Sequence, residues 1–289
     1  MSIIQLLYAA LIGLIQGISE WLPISSKTQI IVSSHYLLNL SIPVGYTFGL
    51  FMEIGTLAAA IIYFRKDLAK LVHVLAGSRD PMKRKLFAYV LVVTVITGLI
   101  AVPLFLVVEH FIGSGNADTG IAVGIPMLVL GLVLLGDAAL IRYSRKKMSQ
   151  GMSFRKLENL SVKDYILVGI TQGISVLPGV SRSGITTSAM LLLGIEPDEA
   201  FRLSFTAGIF AALGAFGLTL VASRSNVAAS IAGIGTVGLA VAIITSFVIS
   251  FFLIDFLIKF AAKQKITYLT AGLGITAIAI SLLYLVFGV

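Results

Sequence analysis

Residues 16–29, QGISEWLPISSKTQ, set a carboxylate (Glu20), an ammonium (Lys27), adjacent hydroxyls (Ser25, Ser26), Thr28 and two amides (Gln16, Gln29) around Pro23 in an otherwise apolar stretch. A charged side chain at bilayer depth costs roughly 2.5–3.5 kcal/mol on insertion scales, so such a cluster marks a functional site. A second cluster, PGVSRSGIT at 178–186, centres on Arg182, whose planar five-donor fork suits phosphate oxygens. Ser181, Ser183 and Thr186 add hydroxyls, Gly179 and Gly184 let backbone N–H groups approach a ligand, and a helix starting after the break adds its positive end. Together these favour an anion. The structural alternative is an Arg182–Glu20 pair that only pins the two segments together. Of Ser25 and Ser26, one is expected to cap the following helix and the other to be free for chemistry.

The surrounding chain must supply the membrane. Of 289 residues 58% are hydrophobic and 12% charged, with a mean hydropathy of +1.03, which excludes an ordinary soluble domain. The absence of cysteine excludes disulfides and thiolate chemistry. The net charge of +8 falls in short loops between apolar runs, so it reads as the positive-inside signal and not as a nucleic-acid surface. Residues 1–15 lack a basic leader and a cleavage site and read as a retained segment. Six apolar runs are long enough to span a bilayer, at 45–64, 86–108, 121–141, 203–222, 227–256 and 266–287. Two others, 3–38 and 165–193, are interrupted by Pro, Gly and Ser. Each should be two short helices joined by a break.

The two interrupted stretches align. Gln16-Gly17-Ile18-Ser19 matches Gln172-Gly173-Ile174-Ser175, and each is followed by Leu-Pro. The expected fold is therefore an all-α polytopic membrane protein with an inverted-topology repeat, comprising six spanning helices and two re-entrant hairpins, with halves at 1–150 and 151–289. Three spans per half invert the second half. The basic loops at 65–85, 142–163 and 259–265 then share the cytoplasmic side, while the loops at 109–120 and 223–226 carry only Arg224. Both termini are expected outside, with the breaks meeting near the bilayer centre.

The sequence from Gln16 through Glu20 into LPISS, paired with PGVSRSGIT, resembles the undecaprenyl pyrophosphate phosphatases, the BacA or UppP family, over essentially the whole chain, including FTAG at 205–208. The resemblance implies hydrolysis of a C55 polyprenyl diphosphate to the monophosphate, recycling the carrier lipid for cell-wall glycans. It also implies a role in bacitracin tolerance and help from a divalent cation, Mg2+ or Ca2+. Matched position by position, Glu20 is the family's second motif carboxylate and a metal ligand, and Ser26 the candidate nucleophile. Ser181, Arg182, Ser183 and Thr186 match the phosphate-binding motif. Many members carry Gly-His after the serines; here Thr28 and Gln29 stand there, preceded by Lys27.

Without that histidine, Glu20 is left as the base. His35, His73 and His110 are not obvious substitutes. Lys27 reads either as a phosphate contact or as a lysine snorkelling to the outer headgroups. The expected catalytic set is Ser26, Glu20 and Arg182, with Gln16, Ser25, Lys27, Gln29, Ser181, Ser183, Thr186 and Gly179 around the substrate. The expected partners are a polyprenyl diphosphate and membrane lipids, with no nucleic acid; a homodimer is compatible with this reading. The site is expected to open outward from a multi-pass protein of the plasma membrane. A polyprenyl-phosphate flippase is the rival reading, because it would need the same midplane anion site. Glu53, Asp137 and Asp255 read as packing groups within spans, with Glu53 able to approach the site.

Overall fold

The computed structural model describes residues 3–22, 24–113, 119–148, 154–177, 179–261 and 266–287. Among these the chain forms twelve α-helices and one 3-10 turn, Leu157–Asn159, and no β-strand. The first six are α1 (Ile3–Ser19), α2 (Ser26–Leu38), α3 (Ile42–Tyr63), α4 (Arg65–Leu75), α5 (Pro81–Gly113) and α6 (Thr119–Met148). The next six are α7 (Val162–Ile174), α8 (Arg182–Leu192), α9 (Pro197–Ala222), α10 (Arg224–Ile234), α11 (Thr236–Ala261) and α12 (Ile266–Phe287).

Local chemistry sets the starts. Pro43 and Pro197 stand in the first turns of α3 and α9, where a missing N–H has no helical partner to lose. Asp80 accepts the N–H groups of Met82 (2.9 Å) and Lys83 (3.1 Å) ahead of α5. Ser161 and Asp164 form a capping box at α7. Both interrupted stretches are broken as expected, between Ser19 and Ser26 and between Ile174 and Arg182. Pro23 and Pro178, on which that expectation leaned, lie outside the described residues.

Four helices among the described residues are long and apolar enough to cross a membrane: Pro43–Tyr63, Pro81–His110, Pro197–Ala222 and Thr236–Phe260. Their outer faces keep Leu99, Leu106, Ile244 and Phe252 exposed, as lipid contact requires. The expected runs at 121–141 and 266–287 fall in α6 and α12. The run expected as one span at 227–256 is corrected, because Gly235 at φ 75° divides it and α10, with 11 residues, reaches only about 16 Å. Basic residues expected in loops lie at helix ends or in short helices instead: Arg65, Lys66 and Lys70 in α4, Lys83, Arg84 and Lys85 in α5, Arg142, Arg145, Lys146 and Lys147 in α6, Lys163 in α7, and Lys259 in the last turn of α11, where it pairs with Asp255 at 2.6 Å. Of its loop companions, Lys263 and Lys265 lie outside the described residues.

Helices of the first half pack on helices of the second: α1 on α11, α5 on α7, α6 on α12 and α3 on both α9 and α11. The first two contacts are made by glycines four apart. A Cβ on Gly17 would lie 2.8 Å from the Cβ of Ile249, and one on Gly173 would lie 2.5 Å from the Cβ of Ile100. Backbones therefore touch at these crossings. At one end of the bundle Asp67 of α4 accepts from Arg202 Nη2 (2.6 Å), Arg202 Nε (2.9 Å) and Lys70 Nζ (2.7 Å).

Gly17→Leu and Gly173→Leu are each expected to destabilise by at least about 1–3 kcal/mol through overpacking. Gly136→Ala, where a Cβ meets open space, should be neutral or stabilising. Thermal unfolding of the purified protein reads the contrast. Burial pushes the Asp67 carboxyl up, but the hydrogen bonds and charges of Arg202 and Lys70 outweigh it and hold it below the usual carboxylate range. That contribution is complete above the unfolded value, about pH 4, and is lost as pH falls through the lower folded value. Asp67→Asn should flatten the decline of the thermal midpoint below about pH 4.

Candidate active site

Glu20 lies one helical turn beyond Gln16, with its N–H still bonded to the Gln16 carbonyl at 3.1 Å. That spacing lets Gln16 Nε2 donate to Glu20 Oε2 at 3.0 Å. The chain then turns back and presents Ser26 as the first residue of α2, where its hydroxyl donates to the same carboxylate oxygen at 2.7 Å. Glu20 Oε1 receives Arg182 Nη2 from the start of α8. Arg182 Nη1 reaches Glu53 Oε2 of α3 at 3.3 Å. Glu20, Ser26, Glu53 and Gln16 are all buried. One guanidinium thus joins two carboxylates from separate elements, and one of those carboxylates holds a serine hydroxyl at nucleophile–base distance.

The backbone strain of the first break is at Ser25, a non-glycine residue at φ 56°. Ser25 stands at the N-cap of α2 without making a side-chain cap bond. Its hydroxyl pairs instead with Thr28 Oγ1 at 3.0 Å, and Thr28 Oγ1 accepts the Gly179 N–H at 3.1 Å. Ser26 is therefore the serine held by Glu20, and Ser25 helps to tie the two breaks together. Ser181 caps α8 by accepting from the Gly184 N–H at 3.2 Å. The Ser183 hydroxyl lies 3.2 Å from the Glu20 carbonyl and 3.3 Å from that of Leu22. Thr186 donates to the Arg182 carbonyl at 2.6 Å and pairs with Ser204. Gln29 Nε2 donates to the Ile24 carbonyl at 3.4 Å. The hydroxyls of the second cluster thus hold backbone and fix where Arg182 points.

A cavity of about 150 Å³ opens beside this cluster. Lys27, Glu53 and Arg182 line its polar end, while Gly98 and Phe105 of α5 and Phe210 and Gly214 of α9 line its apolar part. Glu20, Ser26 and Gln16 do not line it, and Arg182 is the link from the cavity to them. Lys27 is buried and forms no ion pair among the described residues. It faces the cavity instead of snorkelling outward. Two carboxylates and two cations share the cluster, so it holds no net charge before an anion enters. Gln16 Oε1 is buried and has no hydrogen-bond partner among the described residues. Among the described residues no group of three His, Cys, Asp or Glu side chains is placed to hold a metal.

Glu53 is the member that the motifs did not assign to the site. Its signal was available, since it is the lone carboxylate in the apolar run of α3. Thr28, a member of the polar cluster with no role assigned from the sequence, ties the two breaks. Of the histidines, His35 is turned to the carbonyl of Leu40 at 2.9 Å.

The family model described as bacitracin resistance protein BacA matches residues 9–278. The chain is similar to the undecaprenyl-diphosphatase of Sulfurisphaera tokodaii, at 46% identity over 96% of this chain and 98% of the relative. It is also similar to the proteins of the same name from Saccharolobus islandicus, at 42% over 97% and 98%, and Pyrobaculum aerophilum, at 39% over 96% and 98%.

Removing one member of a buried ion-pair cluster leaves an uncompensated charge, at a cost of about 3–5 kcal/mol. Glu53→Leu is expected to lose on that scale and Glu53→Gln, which keeps an acceptor for Arg182, much less. Comparing their thermal midpoints checks the role.

Proposed function

We propose that this chain, which belongs to the bacitracin resistance protein BacA family, is a membrane phosphatase that releases phosphate from undecaprenyl diphosphate and so returns the carrier lipid monophosphate to envelope glycan synthesis. The observation that carries the chemistry is the 2.7 Å hydrogen bond from Ser26 Oγ to Glu20 Oε2 beside the Arg182 guanidinium. The names of the relatives favour this hydrolase over a flippase.

The diphosphate enters the cavity with its prenyl tail along the apolar α5–α9 wall. Its terminal phosphate draws Arg182 away from Glu20 Oε1, with Lys27 adding a second positive contact. Ser26 Oγ attacks the terminal phosphorus in line, and its proton passes to Glu20 Oε2. The bridging P–O bond breaks and undecaprenyl monophosphate leaves. Glu20 hands its proton to the departing monophosphate, then takes one from the water whose oxygen attacks the phosphoserine phosphorus, and returns it to Ser26 Oγ as inorganic phosphate leaves. Positioning and charge stabilisation supply most of the acceleration, as is general for phosphoryl transfer. A divalent cation, Mg2+ or Ca2+, fits the oxygens present: Glu20 and the unpartnered Gln16 Oε1 would hold it, with substrate phosphate oxygens completing the shell. When bound it supplies neutralisation of the diphosphate charge.

The reading includes an inverted repeat of six spans and two re-entrant hairpins, with halves at 1–150 and 151–289. Its support is the order of elements, since α1–α6 and α7–α12 each run as two short helices, a span, an 11-residue helix and two long helices. The matched glycine crossings of α1 on α11 and α7 on α5 support it further. The clustering of basic loops supports outside termini and a site opening outward, and a homodimer is compatible with it.

In detergent, Ser26→Ala and Arg182→Ala are each expected to lower phosphate release from undecaprenyl diphosphate by about 10²-fold or more. Chelator should lower the wild-type rate, and added Mg2+ or Ca2+ should restore it. Unchanged release by both variants contradicts the assignment. Movement of the lipid across liposomes with no phosphate released would point to a carrier.

A further inference from the structure

A second pocket, of about 20 Å³, is lined by residues of the first break and of α6, α8, α9, α11 and α12, and shares no lining residue with the larger cavity. Asp137 of α6, Thr187 and Ser188 of α8 and Trp21 line it. All four are at most 5% exposed. Among the described residues the Thr187 hydroxyl and the Trp21 Nε1 have no hydrogen-bond partner, and the Asp137 carboxylate has at most a loose approach from the Ser188 hydroxyl. A buried carboxylate, two hydroxyls and an indole N–H so poorly satisfied around one chamber are unusual in a native fold, where such groups are satisfied by protein, water or ion.

Leucines complete much of the wall. A lone carboxylate in that setting is tolerated only when a proton or a cation neutralises it, and a proton would leave the remaining oxygens around the chamber without donors. The chamber's volume is that of about one water-sized particle. A single water could donate to two of the four oxygens and would leave the charge of Asp137 in place. A small cation answers both demands, and one carboxylate with two hydroxyls matches a charge of +1, whereas divalent sites gather more anionic ligands. From this we propose that the chamber is a binding site for one dehydrated monovalent cation of sodium size, held by Asp137, Thr187 and Ser188. The ion ties α6 to α8, whose first residue is Arg182, so its effect is on the placement of the helix that carries the arginine. Trp21, the one N–H donor, is not a ligand. The inference does not rest on the phosphatase reading, because its test is stability.

The test titrates NaCl into the purified full-length protein, with choline chloride holding ionic strength and divalent ions constant, and follows the thermal midpoint. The wild type is expected to show a saturable rise of several degrees. Asp137→Asn should lose the rise, Ser188→Ala and Thr187→Val should each move the titration midpoint to about 10-fold higher sodium, and Trp21→Phe should keep the rise. A wild-type midpoint indifferent to sodium overturns the proposal, and so does a rise that Asp137→Asn retains. Should Asp137→Asn not fold, an unshifted titration in both hydroxyl variants overturns it equally.

Discussion

The structure depends on one largely buried guanidinium, 13% exposed. Arg182 bonds Glu20 from the first break and Glu53 from α3, and it lines the cavity through which an anion would arrive. Each carboxylate would be too costly to bury alone, and so would the arginine. Their mutual neutralisation lets two broken helices end inside an apolar bundle. In the proposed mechanism the two roles considered for Arg182, pinning the halves and binding phosphate, become one role at two moments: Arg182 holds Glu20 in place until a phosphate offers it better oxygens.

Around that interaction the second-break hydroxyls act as scaffolding. Ser181 starts α8, Ser183 fastens it to the turn after Glu20, and Thr186 bonds back to the Arg182 carbonyl. Thr28 and Gly179 close the seam between the breaks. The helices themselves are set by glycine crossings in which a methyl group would collide with Ile249 or Ile100. Tight crossings outside the site and open space at Gly98 and Gly214 beside it divide the glycines between packing and access.

Much of this was legible in the residues. The repeated QGIS-x-(x)-LP signature located both breaks, and the isolated charges Glu20 and Arg182 named the pair that joins them, because a bilayer leaves charges few alternatives to each other. Three things were not legible. Glu53 stood out as the lone carboxylate of its apolar run, but its contact with Arg182, 129 positions away, follows from how α3 meets the breaks. The division at Gly235 sits in an apolar run whose hydropathy carries no trace of a backbone turn. Which serine faces Glu20 was left open, and the expectation that one of them caps α2 is not met, because Ser25 takes a positive φ that directs its hydroxyl to Thr28 while Ser26 donates to Glu20.

The central claim is that Glu20, held by an arginine from the other half, activates Ser26. A double-mutant cycle on the rate of phosphate release from undecaprenyl diphosphate tests it most directly, using Glu20→Gln, Ser26→Ala and the double variant. If the two side chains act as one unit, the double variant is no slower than the slower single variant, because removing either already removes the activated nucleophile. Losses that multiply in the double variant would show two independent contributions and contradict the account.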